Sequence, residues 1–104
     1  MIAQIRVYTV NKGMMDAWLK LFNEQLAPIH AKYGLTIAGA WVNRAQNEFT
    51  WIRTFENEED MKAKEAAYFA SPERSALGDL PPSHHAKIEV RIVEDVFKPA
   101  AVAV

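Results

Sequence analysis

An α+β fold, four antiparallel strands and two helices in the order β-α-β-β-α-β, is the architecture this chain predicts, and two observations predict it. Four segments carry β-type patterning: Ile2–Val10, Leu35–Val42, Phe49–Phe55 and Lys87–Phe97. Two helical stretches, Met14–Tyr33 and Asn57–Ala70, follow the first and third of them. This is the split-βαβ, ferredoxin-like order, in which right-handed crossovers set both helices on one face of a four-stranded antiparallel sheet.

Each element has a local cause. In Ile2–Val10, Ile5 and Val7 share one face while Arg6 and Tyr8 share the other, and Gln4 and Arg6 distinguish the segment from an apolar leader peptide. Asn11-Lys12-Gly13 supplies turn chemistry and a capping side chain, and Asp16 sits in the positive first turn of the following helix. Met14, Trp18, Leu21, Phe22, Ile29 and Tyr33 recur at three- and four-residue spacing, which makes that helix amphipathic. Pro28 lacks an amide hydrogen and predicts a kink near the last turns; Gly34 predicts a left-handed stop.

Leu35–Val42 and Phe49–Phe55 flank the polar loop 43–48 and read as a hairpin. Asn57 caps a second helix whose first turn holds Glu58, Glu59 and Asp60; these three acids complement the helix dipole and need no metal to explain them. Ser71-Pro72-Glu73 opens a further helical turn, and the stretch 78–83, with adjacent Pro81 and Pro82, is a loop. The last strand alternates Ile88, Val90 and Ile92 with Glu89 and Arg91. Residues 1–98 thus form one domain, and 99–104 are a small-residue tail expected to fray.

Composition excludes several functions. Twelve basic against thirteen acidic residues, with no basic block, argue against nucleic acid as a partner. No apolar stretch approaches the about 18 residues of a membrane span. The absence of cysteine removes disulfides, thiolate nucleophiles and cysteine-based metal sites, and agrees with a reducing, cytoplasmic setting.

The sheet itself predicts a partner. Ile37, Gly39 and Trp41 alternate with Ala38, Ala40 and Val42, and Phe49, Trp51, Arg53 and Phe55 alternate with Thr50, Ile52 and Thr54. Neither face is polar enough to meet water, and two helices cover only one of them. The chain is therefore expected to form a homodimer, sheet face to sheet face.

The opening Gln4-Ile5-Arg6-Val7-Tyr8-Thr9-Val10-Asn11-Lys12-Gly13 resembles the E-L-R-x-Y-x-L-x-x-G start of NIPSNAP-family domains, with Gln4 replacing the usual acid. The similarity continues through a helix carrying Pro28 before Gly34, a strand with Gly39 and Trp41, and one with Trp51 and Arg53 ahead of an acidic helix start. It closes on Phe97-Lys98-Pro99. The resemblance implies the dimeric α+β barrel superfamily, and with it the sheet-to-sheet dimer. That superfamily holds cofactor-independent monooxygenases, haem-degrading enzymes, chlorite-dismutase-like proteins, mutarotases and muconolactone isomerases, so fold membership selects no single reaction.

Arg6, Tyr8, Trp51 and Arg53 form the candidate site. The first and third strands are neighbours at the sheet centre in this topology, so these side chains converge on one face. Guanidiniums on interior strands are costly to bury unless they are paired or hold an anion. Their planar forks suit a carboxylate or phosphate, and the aromatics provide stacking walls. The competing reading pairs them with Glu89 or Glu48 in a structural network. His30, beside Pro28, and Tyr8 are the candidates for proton transfer, and Trp41 and Trp51 are expected to pack a ring. Trp18, Phe22 and Tyr68 read first as core and second as pocket lining. His84 and His85 point opposite ways in extended chain and find no third ligand, so no metal is expected. No phosphate-binding glycine loop or nucleophile elbow occurs, and no cofactor is called for.

Two functions follow. One is a small enzyme, resembling the cofactor-independent monooxygenases or isomerases, that binds or transforms a small anionic or aromatic molecule between sheet and helices. The other is a non-catalytic ligand-binding or protein-interaction module with a filled interior. A cavity of about 300 Å³ or more beside Arg6 and Tyr8 would favour the first.

Overall fold

Four strands build the sheet: β1 (Ile2–Val10), β2 (Thr36–Asn43), β3 (Glu48–Phe55) and β4 (His85–Glu94). The computed structural model describes residues 1–99, so the expected tail lies, beyond Pro99, outside the described residues. The strand order is β2-β3-β1-β4 with every pair antiparallel, and β1 and β3 lie at the centre as the topology requires. Four helices accompany them: α1 (Met15–Leu21), α2 (Ala27–Lys32), α3 (Glu58–Ala70) and α4 (Pro72–Leu77). Among the described residues no helix is long and apolar enough to cross a membrane.

The first helix is interrupted ahead of Pro28. A π-helical turn, Phe22–Leu26, joins α1 to α2, with the Ala27 amide donating to the carbonyl of Phe22 five residues back. Proline deprives the residue four positions earlier of a donor and crowds its carbonyl, and a wider turn just ahead of it accommodates both demands. Gly34, at φ 75°, ends the helix as expected, with Leu35 N donating to His30 O at 2.9 Å and Gly34 N to Ala31 O at 3.3 Å. That double bond is the Schellman stop. At the other end, Asn11 does not cap α1. Its side-chain amide donates to the Ser83 carbonyl at 3.1 Å and ties the turn to the loop before β4.

The two downstream caps form as read. Asn57 Oδ1 accepts from the Asp60 amide at 2.8 Å, and Ser71 Oγ accepts from the Arg74 amide at 3.1 Å. A 3₁₀ turn, Pro82–His84, brings β4 in two residues earlier than the alternation suggested. The strand also stops at Glu94 rather than Phe97. The Asp95 amide reaches Met1 O, and the Asp95 carboxylate accepts from the Phe97 amide at 3.1 Å, a local bond that turns the chain away from the ladder.

A bulge in β2 revises the facing of its residues. Ile37 lies opposite Arg53, whereas Gly39 lies opposite Ile52 and Trp41 opposite Thr50. The extra residue inverts the alternation at Ala38, so Ile37 belongs to the helix-covered face while Gly39 and Trp41 belong to the outer one. Trp41 is 56% exposed and lies across Gly39, where a Cβ would come within 2.5 Å of its ring.

Both helical layers pack on Phe49, Trp51, Arg53 and Phe55 of β3. One apolar cluster joins Trp18, Leu21, Phe22 and Leu26 to Tyr8, Phe49 and Trp51; the other joins Ile29 and Leu35 to Phe55, Met61 and Tyr68. His30 sits where they meet, 1% exposed, its ring 5.2 Å from Trp51 and 4.4 Å from Tyr68. The helices do not reach the edge strand. Ile88, Val90 and Ile92 pair with Tyr8, Arg6 and Gln4, so they face the helical side, yet each is more than two-fifths exposed.

Burial, reinforced by the Arg53 charge and opposed by the bond to Leu26 O, lowers the His30 pKa from 6.5 to about 4. His30 is therefore neutral in the native protein at pH 7. As pH falls below 6.5 the unfolded chain takes up a proton that the native state refuses until about pH 4. Stability should then decline through that window, by on the order of 3 kcal/mol for the full shift. The urea midpoint is expected to drop between pH 7 and pH 5, and His30→Gln should flatten that dependence. Superimposable pH profiles for the two proteins would contradict the assignment.

Candidate functional site

The helix-covered face of β1 presents Gln4, Arg6 and Tyr8 in succession, and β3 presents Trp51 and Arg53 beside them. Register makes the match: Gln4 opposes Arg53, Arg6 opposes Trp51 and Tyr8 opposes Phe49. Arg6, Tyr8, Trp51 and Arg53 line one cavity of about 220 Å³. Trp18 from α1 and Tyr68 from α3 complete its apolar walls, Arg74 from α4 adds a third guanidinium, and His85 opens β4 at its rim. The cavity is smaller than the 300 Å³ set as the mark of an enzyme pocket, but the interior is not filled. An apolar cavity of about 150 Å³ already takes benzene, so this one has room for a single substituted ring.

Trp41 is not brought to this place. The Ala38 bulge sends it to the outer face, on the far side of the sheet from Arg6. Phe22 is core, 4.8 Å ring to ring from Phe49. Glu89 and Glu48 do not pair with the arginines either. They oppose Val7 and Thr9, which point to the outer face, and Glu89 is held by Lys87 at 2.9 Å.

The acid that does meet Arg53 is Glu65 of α3, at 2.6 Å. The hub of the network is Gln4, 3% exposed. Its Oε1 accepts from Arg6 Nη1 at 3.0 Å and from both Nε and Nη2 of Arg53, while its Nε2 donates to Glu65 at 3.3 Å and to Met61 Sδ at 3.6 Å. Arg53 Nη1 donates to His30 Nε2 at 3.3 Å, which fixes the proton on His30 Nδ1, facing Leu26 O at 2.7 Å. Both imidazole nitrogens are thus occupied and His30 does not line the cavity, so it orients Arg53 rather than exchanging protons with a ligand. Burial first, and the Arg6 charge second, press Arg53 below the usual guanidinium value.

Arg6 is differently placed. Its Nε donates to the Tyr8 hydroxyl at 2.8 Å and its guanidinium carbon lies 5.6 Å from the Trp51 ring. Among the described residues no carboxylate pairs with it, and its Nη2 makes no hydrogen bond. Tyr8, accepting from Arg6, keeps its own O–H free to donate.

His85 and Arg74 are cavity residues that the sequence did not single out; of the two, His85 is the more deeply set. It packs 4.3 Å from the rings of both Tyr8 and Trp18, and burial lowers its pKa to about 4. Among the described residues both its ring nitrogens and the indole nitrogens of Trp18 and Trp51 are buried without a hydrogen-bond partner. The alternation of β4 starts only at Lys87, so it did not mark His85, which the ladder pairs with Val10 across an irregularity. His84 instead turns inward to the Leu80 carbonyl, 2.9 Å from Nδ1. Among the described residues no group of His, Cys, Asp and Glu is arranged to hold a metal.

Comparison with known proteins agrees with this architecture. An uncharacterized NIPSNAP domain protein from Burkholderia xenovorans superposes with a TM-score of 0.85 at 18% identity, over 96% of this chain and 100% of that one. A NIPSNAP family protein from Agrobacterium tumefaciens gives 0.86 at 19% identity, over 96% and 98%. A putative antibiotic biosynthesis monooxygenase from Nitrosomonas europaea gives 0.70 at 11% identity, over 93% and 100%. At these identities the likeness is one of fold. None of the curated proteins matches. The NIPSNAP family model matches residues 3–101, nearly the whole sequence, and the chain belongs to the NIPSNAP family.

Proposed function

We propose that the cavity between sheet and helices binds a small organic anion with an aromatic or otherwise apolar body. The observation that carries this reading is the make-up of the wall: three arginines, Arg6, Arg53 and Arg74, and no acidic residue, set among Tyr8, Trp18, Trp51 and Tyr68. Guanidiniums in a half-enclosed apolar site attract a carboxylate or an enolate more strongly than they would in water. The open cavity favours this over a module with a filled interior. Chemistry in such a site would rest on positioning, with Arg6 holding the anion and Tyr8 donating a proton or hydrogen bond to it, as the monooxygenase- or isomerase-like reading requires. The cysteine-free composition suits cytoplasmic residence.

We further propose that the outer sheet face is closed by a second copy of the chain. Ala3, Ile5, Val7 and Ile52 make its centre apolar. Lys87, Glu89 and Arg91 alternate in sign along the β4 margin, a pattern that can complement itself about a two-fold axis. Sedimentation at micromolar concentration should give twice the chain mass, and Ile52→Lys should halve it while the fold persists. A wild-type monomer would remove the proposal.

For the cavity, a panel of aromatic carboxylates with benzoate as reference should raise the melting temperature. Arg6→Ala should abolish that rise and leave the sedimenting mass unchanged. If no member of the panel shifts the wild-type protein, the anion reading falls; if Arg6→Ala shifts as the wild type does, Arg6 leaves the site.

A further inference from the structure

Among the described residues Gln4 is the one side chain that hydrogen-bonds to both central arginines, and it carries no charge. Its single carbonyl oxygen accepts from Arg6 and twice from Arg53. A carboxylate is the ordinary partner for two guanidiniums in so buried a position, because it offers two oxygens and cancels charge. Gln4 offers one oxygen and cancels none. Its amide nitrogen shows what is gained: it donates to Glu65, which a carboxylate at this position would repel.

The charge of the cluster can be counted from its members. Arg6 and Arg53 contribute two positive charges, Glu65 one negative, and Gln4 none. His30, whose Nε2 accepts from Arg53, is neutral at pH 7. The remainder of this hydrogen-bonded cluster is one positive charge, carried by Arg6, and Arg74 adds another guanidinium to the same cavity wall. Arg53 is engaged at all three of its nitrogens by Gln4, Glu65 and His30, whereas Arg6 has no acidic partner among the described residues and an idle Nη2 on the cavity wall. We propose that Gln4 is a specificity-determining residue: by bonding two guanidiniums without neutralising them, it leaves Arg6 charged and available, so that the cavity selects a carboxylate over a neutral amide of the same shape. The inference rests on the anion-binding reading above and adds to it the charge of the ligand and the residue that sets it.

Three consequences separate a charge effect from a merely structural one. Benzoate should bind the wild-type protein more tightly than benzamide, which matches it in shape. Gln4→Glu adds one negative charge within reach of Arg6 and should weaken benzoate by about tenfold or more, with benzamide little affected. The double variant Gln4→Glu/Glu65→Gln moves the negative charge from α3 to β1 at constant total and should recover benzoate binding.

Calorimetric titration of the three proteins with both probes, alongside thermal melts, reads all of this. Recovery in the double variant supports the proposal. Equal wild-type affinity for the two probes overturns it, as does loss of benzoate binding that the double variant fails to restore, because geometry rather than charge would then be decisive. Unchanged benzoate affinity in Gln4→Glu also overturns it while leaving the cavity reading intact. Wild-type protein that binds neither probe removes the anion reading itself. Should Gln4→Glu fold poorly, Gln4→Met keeps the charge count while deleting the bonds, and retained preference for benzoate in that variant is the supporting result.

Discussion

Two guanidiniums side by side on the covered face of the central strands impose the strongest constraint in this molecule. Neither can be buried bare, since the cost of stripping water from an unpaired charge runs to several kcal/mol. The chain meets that demand with groups drawn from three elements: Gln4 and the Tyr8 hydroxyl of β1, Glu65 of α3 and His30 of α2. The docking of α3 over the sheet is therefore tied to an ion pair as well as to the packing of Met61 and Tyr68. The burial of His30 follows as well, because an imidazole that must accept from Arg53 has to remain neutral. Polar satisfaction and apolar packing enforce the same arrangement here, which is the consistency expected of a sequence that specifies one structure.

The division of labour between the two arginines has a structural origin. Arg53 stands where α2 and α3 close over β3, and it is 2% exposed. Arg6 lies one strand nearer the β4 edge, where, among the described residues, no side chain of the helical layer hydrogen-bonds to it. The same shortfall in helical cover leaves Ile88, Val90 and Ile92 exposed along β4. Cavity, unpaired arginine and bare strip of β4 thus share one cause: two helical layers span the width of three strands, and the sheet has four.

Much of this was legible in the sequence, and the failures have identifiable physics. Element order, the Asn57 and Ser71 caps and the Gly34 stop depend on local chemistry, and local chemistry can be read from neighbouring residues. So could the convergence of Arg6, Tyr8, Trp51 and Arg53, which needs only the alternation of two strands and their adjacency. The position of Trp41 could not, because one unpaired residue at Ala38 inverts the parity of β2, and nothing in Thr36-Ile37-Ala38-Gly39 marks which residue is extra. The acid chosen by Arg53 was equally hidden. Glu89 and Glu48 are close to the arginines in strand register but on the wrong side of the sheet, whereas Glu65 arrives only when a helix twelve residues downstream folds back. His85 was read as loop because alternation begins at Lys87, yet the ladder begins with His85 opposite Val10.

The wide turn at Phe22–Leu26 has a bearing on how this helix can vary. A π turn holds one residue more than an α turn would, so it acts as a built-in insertion that rotates everything beyond it by about 100° around the axis. Leu26 and His30 face the sheet only because of that offset; regular α winding of the same residues would swing His30 toward solvent, whereas loss of one residue from the wide turn would restore regular winding and leave His30 on the sheet side. The two halves of this helix are thus held in phase by the wide turn, which absorbs one surplus residue. Loss of one residue there should be tolerated more readily than the gain of another.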